Sequence, residues 1–285
     1  MFRYALYKIA IFITRRLSLR ASLKFAEALS DLQYFFSRKD RKTVYANLQE
    51  ILKKEEVSFE TREVFRHFGR YLVEFFRMEP CVNKEFIQEH VVVRNEHYIK
   101  DVLQKGRGGI FLTAHIGNWE LGAAVLSLLG YPITVVALPH KHPKINDFFN
   151  RQRRIKGLDV VATDKAIDKC TDALQRNEFI AVAGERAFGA KGEWIDFLGR
   201  QVLIPNGPAL FAMKTGAFII PSFLIRQGNG QFEFFIDKPI DPQTVQGNTT
   251  KEKKQNIMKQ YVVCMENMIQ QYPSQWLMFR EYGTE

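Results

Sequence analysis

The sequence predicts an α/β fold: a mostly parallel central sheet flanked by helices, with an N-terminal helical segment. Three observations carry this. Short apolar runs alternate with helical patterns from about residue 91 onward, the order expected of parallel strands joined by crossover helices. The run at residues 110–114 is almost wholly apolar, as suits a strand covered on both faces. It is followed at once by Gly117 and Asn118, a sharp turn and a helix start. Residues 1–90 are expected to form a helical, membrane-associating segment and 91–285 the α/β body, with one continuous domain as the alternative.

In chain order, residues 1–36 read as helical, with Leu17, Leu23, Leu29 and Leu32 punctuated by Arg3, Lys8, Arg15, Arg16, Arg20 and Lys24. That mixture suits a helix lying at a membrane interface or docked on the body. Residues 37–42 form a charged link. Residues 43–52 and 58–77 are two amphipathic helices, the second with Phe65, Phe68, Leu72, Phe75 and Phe76 at helical spacing. A short strand at 91–93 and a helix at 97–105 lead to the central strand. A helix from Asn118 to Leu129 follows, then strands near 132–138, 157–162 and 178–184 separated by helices at 146–156 and 164–176. A helix at 206–216, a strand at 217–226 containing Pro221, a hairpin turn at 228–230, a strand at 231–236 and a closing helix at 249–271 complete the pattern.

Of the 285 residues, 46% are hydrophobic and 25% charged, an ordinary balance for a packed domain. The net charge is +10, concentrated at the start: residues 1–54 hold 12 Lys and Arg against 4 Asp and Glu. Such an excess favours an anionic membrane surface or an acidic carrier. Nucleic acid is set aside because no recognition module accompanies the charge. Cys81, Cys170 and Cys264 fit no metal spacing and read as reduced thiols. His140 and His142 lack a second ligand pair, so no metal is expected. No secretory signal with a cleavage site is read, and no apolar run is long enough to span a bilayer.

The chemistry-bearing stretch is His115-Ile-Gly-Asn-Trp-Glu120. His115 falls at the carboxyl end of a strand, where open α/β sheets place their sites. Across a strand–turn–helix corner Glu120 can fold back towards the imidazole, fix its tautomer and leave the other nitrogen free for a proton. Glu in a first helical turn is equally explained by the helix dipole. Gly184-Glu185-Arg186 ends another strand and should point the same way, making Glu185 a second possible partner for His115.

These residues resemble the H-x-x-x-x-E signature of the bacterial lipid A biosynthesis (late) acyltransferases, relatives of the glycerolipid acyltransferases that carry H-x-x-x-x-D. The flanks are similar too: the glycine-rich lead-in, Thr113-Ala114, Asn118-Trp-Glu-Leu121, Asn47-Leu48, Gly69-Arg70 to Glu74-Phe75, and the C-terminal stretch Tyr272-Pro-Ser-Gln-Trp276. The resemblance implies an acyltransferase moving a fatty acyl group from acyl carrier protein or coenzyme A to a hydroxyl of a lipid or glycolipid, such as a lipid A precursor. It implies His115 and Glu120 as the catalytic pair. Arg153, with Arg151 and Arg154 competing for its role, Glu185, Arg186 and Asn118 are the expected substrate-binding residues. Glu185 stands where the family more often has aspartate, a departure that resembles the glycerolipid branch, with its phosphate-binding Gly-Thr-Arg segment, and the related mannoside acyltransferases, which carry a glutamate. No cofactor beyond the acyl thioester donor is expected, and the implied location is the cytoplasmic face of the bacterial inner membrane. The alternatives are another acceptor, such as a lysophospholipid, or a non-catalytic lipid-binding protein of the same fold.

Overall fold

The computed structural model describes residues 2–187 and 192–283. The N-terminal stretch is two helices rather than one, α1 (Phe2–Arg16) and α2 (Leu19–Phe36). The break has a local cause: Ser18 caps α2, its Oγ accepting the Ala21 N–H at 3.2 Å. Residues 37–42, expected as a link, instead open α3 (Arg38–Leu52). Ser37 Oγ donates to Asp40 at 2.7 Å, and Arg41 reaches back to the carbonyls of Tyr34 and Phe35 at the end of α2. The charge run therefore serves two helix ends.

The helix α4 (Ser58–Cys81) buries Val64, Phe65, Phe75 and Phe76. It outruns the expected end at residue 77 and carries Pro80 in its last turn. The next helix, α5 (Lys84–His90), has no counterpart among the expected elements; Asn83 starts it by accepting the Phe86 N–H at 2.9 Å.

β1 (Val91–Arg94) and α6 (His97–Gln104) lead into the alternating body. Its elements are β2 (Gly109–Thr113), α7 (Trp119–Leu128), β3 (Ile133–Ala137), α8 (Pro143–Ile155), β4 (Asp159–Ala162), α9 (Ala166–Gln175) and β5 (Phe179–Ala183). An antiparallel pair, β6 (Glu193–Phe197) and β7 (Arg200–Ile204), forms a separate two-stranded sheet. It turns at Leu198 and Gly199, both at positive φ. The stretch from Ala187 to Trp194, whose composition reads as a glycine-containing loop, has positions 188–191 outside the described residues. α10 (Gly207–Thr215), β8 (Phe218–Arg226), β9 (Phe232–Ile236) and α11 (Thr250–Gln271) complete the α-helices and strands among the described residues.

The main sheet has seven strands in the order β1-β9-β8-β2-β5-β3-β4, parallel at every pairing except β8 with β9. Pro221 sits where β8 passes from pairing with β2, which ends at Leu112↔Pro221, to pairing with β9, which begins at Ser222. A residue without an N–H is tolerated at such a handover. Alternate residues of β2 feed opposite cores. Ile110 and Leu112 pack with Cys170 and Ala173 of α9, Ala209 of α10 and Met265 of α11. Phe111 packs with Phe75 of α4, Val125 of α7 and Phe149 of α8. Both faces of the sheet are thus covered, which is why its strands read as continuous apolar runs. A third cluster joins Val44, Leu48, Val64 and Phe65 to Leu277 near the C-terminus. Among the described residues no helix is long and apolar enough to cross a membrane.

Candidate active site

The site lies at the carboxyl edge of two adjacent parallel strands. β2 and β5 pair in register, Thr113 opposite Ala183, and the Gly184 N–H donates to the Thr113 carbonyl at 2.8 Å. His115 and Glu185 each lie two residues beyond their strand, so the register itself sets them side by side. Ala114 and Ile116 are buried on either side of His115. The ring is turned to the surface and keeps 21% of its side chain exposed.

Glu185, with no side-chain exposure, stands behind it. One of its oxygens, Oε1, lies 2.7 Å from His115 Nδ1 and accepts the His115 backbone N–H at 3.0 Å. Arg186 Nε lies 3.2 Å from the same oxygen. Burial alone would raise this carboxyl; the imidazole at contact and the guanidinium outweigh it and hold it at about 2. An ionised Glu185 puts the proton of a neutral imidazole on Nδ1 and leaves Nε2 as the basic nitrogen. The Trp119 ring packs edge-on against His115 at 4.8 Å and stacks on Tyr71 at 4.5 Å, fixing the ring's other side.

The carboxylate bonded to His115 is therefore Glu185, and the expected contact from Glu120 is replaced by another. Glu120 is buried and turned to α8, where Arg153 grips it with two bonds, Nε to Oε2 at 2.9 Å and Nη2 to Oε1 at 2.5 Å. The side chains are 8% and 7% exposed, a closed bidentate pair. Arg153 spends its remaining Nη1 on Asn150 Oδ1 at 3.0 Å. Of the three candidate arginines, Arg153 is the buried one and is committed to the protein; Arg151 and Arg154 are exposed. Arg186 is likewise engaged, donating from Nη2 to the Leu277 carbonyl at 2.5 Å, and burial lowers its pKa.

Asn118, expected among the substrate-binding residues, is buried with both ends of its amide in use. Oδ1 accepts the Leu121 N–H at 3.0 Å and caps α7, while Nδ2 donates to Glu74 Oε2 at 2.6 Å. Glu74 in turn pairs with Arg226 at the end of β8. Between His115 and Asn118 the chain turns at Gly117, whose φ is +59°. A Cβ there would fall 2.0 Å from the Leu224 carbonyl oxygen, so only glycine fits. His140 and His142 take no part in this cluster: their rings lie against Phe149 and Tyr4.

Backbone amides at such a turn can receive the negative charge of an acyl-transfer intermediate. All four are spent: His115 on Glu185, Ile116 on the Ala114 carbonyl, Gly117 on that of Gln275 and Asn118 on that of Leu224. The residues that sequence reading missed are those joined to the turn from afar, Glu74 on α4 and Gln275 near the C-terminus. Each lies inside a stretch quoted for its family likeness, but no local spacing links Glu74 to Asn118, 44 residues on.

A partly exposed imidazole with an ionised carboxylate buried behind it, at the carboxyl edge of a parallel sheet, is an arrangement that can serve as a general base, suited to taking a proton from a hydroxyl. The chain belongs to the bacterial lipid A biosynthesis acyltransferase family, whose pattern matches residues 1–282. It is similar to the phosphatidylinositol mannoside acyltransferase of Mycolicibacterium smegmatis, 28% identical over 167 residues that cover 57% of this chain and 55% of that one. The protein of the same name from Mycobacterium tuberculosis is 26% identical over 169 residues, 57% of this chain and 53% of that one. The matched stretch spans about half the length of these curated relatives. Among solved structures, the 1-acyl-sn-glycerophosphate acyltransferase of Thermotoga maritima superposes with a TM-score of 0.41 and 16% identity, over 86% of this chain and 97% of that one.

Proposed function

We propose that the protein transfers a fatty acyl group from an acyl thioester to a hydroxyl of a glycolipid, with His115 as general base and Glu185 as the carboxylate that supports it. The 2.7 Å contact between Glu185 and His115 Nδ1, with part of the ring still reached by solvent, carries this reading. Nε2 takes the proton of the acceptor hydroxyl as its oxygen attacks the thioester carbonyl carbon. The imidazolium that forms is stabilised by Glu185. Collapse of the tetrahedral intermediate breaks the C–S bond, and the leaving thiolate takes the proton back, giving an ester and a free thiol. General-base assistance of this kind contributes roughly 10²–10⁴-fold. Glu120 has a different part in this account: it holds Arg153 and, with it, the packing of α7 on α8.

The family's description and the mannoside acyltransferase relatives both support a glycosylated lipid as acceptor. The test incubates the protein with a labelled fatty acyl group carried as a thioester on acyl carrier protein or coenzyme A and, in turn, a lipid A precursor, a phosphatidylinositol mannoside and a lysophospholipid. Mass spectrometry should find the label esterified to a glycolipid. Label released only as free acid, or not at all, would contradict the reading.

The membrane partner is part of the same proposal. α1, α2 and the start of α4 expose large apolar side chains, among them Phe12, Leu32, Phe35, Phe36 and Phe59, at 55–73% of full exposure. Exposed Lys8, Arg16, Arg20 and Lys24 lie among them. Apolar side chains that enter the acyl region, flanked by cations that meet headgroups, suit an interfacial surface. Replacing Phe35 and Phe36 by Asp should weaken binding to anionic vesicles by at least about tenfold, since each loses over 1 kcal/mol of apolar burial, while transfer to a soluble acceptor analogue is retained. Unchanged vesicle binding would remove this surface from the account.

A further inference from the structure

The turn that carries His115 is held by a segment from the far end of the chain. Residues 275–277 run antiparallel to it, with Ile116 bridged to Trp276. The Leu277 N–H donates to the His115 carbonyl at 2.8 Å, and the Gly117 N–H donates to the Gln275 carbonyl at 3.0 Å. This strap crosses the ends of two strands. Arg186, just past β5, donates to the Leu277 carbonyl. At the end of β8, Gln275 pairs with Arg226 as though it were a strand residue: its Oε1 accepts the Arg226 N–H at 3.0 Å and its Nε2 donates to the Arg226 carbonyl at 2.8 Å. Gln275 is buried and uses backbone carbonyl, side-chain carbonyl and side-chain amide at once. Further along, Asn47 Nδ2 holds the strap through the carbonyls of Met278 and Arg280.

We propose that Gln275 is a positioning residue for acyl transfer: by joining the Gly117 turn to the end of β8, it sets the height of the His115 ring against Glu185. The inference rests on the reading of His115 as the base. Glu185 bonds both the backbone N–H and the ring of His115, so a shift of the turn changes both contacts together. The turn has no side chain of its own to resist such a shift at Gly117. A further backbone anchor, the Asn118 N–H to the Leu224 carbonyl, is on the same strand end that Gln275 grips, beside the side-chain tie from Asn118 to Glu74. A base held about 1 Å out of place can lose roughly 10²-fold in rate.

The experiment compares Gln275→Met, which keeps the volume and removes both side-chain bonds, with Gln275→Glu, which keeps the acceptor for the Arg226 N–H and removes the donor. Asn47→Ala is the control, loosening the strap beyond the turn. The readouts are kcat and donor KM per folded molecule, and the low-field proton resonance of the His115 Nδ1–H. Gln275→Met should lower kcat by about 10- to 100-fold with donor KM within about twofold, and should move or broaden that resonance. Gln275→Glu should fall between it and the wild type, and decides the matter alone if the Met variant does not fold. Asn47→Ala should cost thermal stability while the resonance and kcat per folded molecule stay near the wild type. An unmoved resonance with full kcat in the Gln275 variants would overturn the inference while leaving His115→Ala inactive. An active His115→Ala variant would instead overturn the reading on which it rests.

Discussion

Glu185→Ala should lower kcat by about 10²–10⁴-fold while donor KM changes little, because in the proposed mechanism the carboxylate acts on the charge that develops on His115 and not on bound substrate. The two contacts that Oε1 makes with His115 explain why. With the side chain removed, Nδ1 loses its acceptor, the proton is no longer held on that nitrogen, and the imidazolium formed during attack loses its nearest anion. Glu185→Gln separates these effects. The amide oxygen can keep both His115 contacts made by Oε1, and its nitrogen can occupy the place of Oε2, which has no hydrogen-bond partner among the described residues. What is lost is the charge, so the Gln variant should retain more activity than the Ala variant and less than the wild type. The same carboxyl marks stability against acid. Its folded pKa of about 2 lies below the ordinary 4.5, so its contribution is complete above about pH 4.5 and is lost as the pH falls towards 2. Acid denaturation of Glu185→Ala should accordingly be shallower across that window than that of the wild type.

Glu120→Ala produces the opposite pattern, a large loss of stability. Its removal strands the Arg153 cation in a site where both side chains are less than a tenth exposed. Breaking a buried pair from one side costs about 3–5 kcal/mol. For a domain of this size that is a fall in Tm on the order of 10 °C. Replacing both partners by apolar residues of similar volume should recover much of the loss, since no unpaired charge then remains buried. Thermal unfolding of Glu120→Ala and of a Glu120→Met, Arg153→Met double variant checks this. If Glu120→Ala keeps its Tm but loses kcat as steeply as Glu185→Ala, Glu120 acts on the base after all.

The contrast between the two glutamates shows what the sequence could and could not say. The strand, the turn at Gly117 and the cap at Asn118 are legible because each depends on residues within a few positions of the other. The alternation that predicts parallel strands also places Gly184-Glu185-Arg186 at the same sheet edge as His115. What it leaves open is which acid meets the ring. That is decided by the β2–β5 register and by Arg153 on α8, which draws Glu120 away. The motif spacing is the same whether Glu120 faces the histidine or an arginine 33 positions on. Likeness to the family distinguishes Arg153 from its neighbours as a substrate contact, whereas in the structure it is the one of the three that is buried, paired with Glu120. The charged run at 37–42 misreads for a related reason, since a linker and a pair of helix ends use the same residues. Gln275 and Glu74 carry no local signal at all, because their partners are set by how the C-terminal strap and α4 pack on the finished sheet.

Kinetic coupling between His115 and Glu185 is the most direct measure of the account. Acyl transfer by His115→Ala, by Glu185→Ala and by the double variant should be compared with the wild type under single-turnover conditions. If the two residues form one proton-abstracting unit, the double variant is scarcely slower than His115→Ala alone. Rate losses that multiply, with the double variant slower by the product of the two single effects, would contradict it.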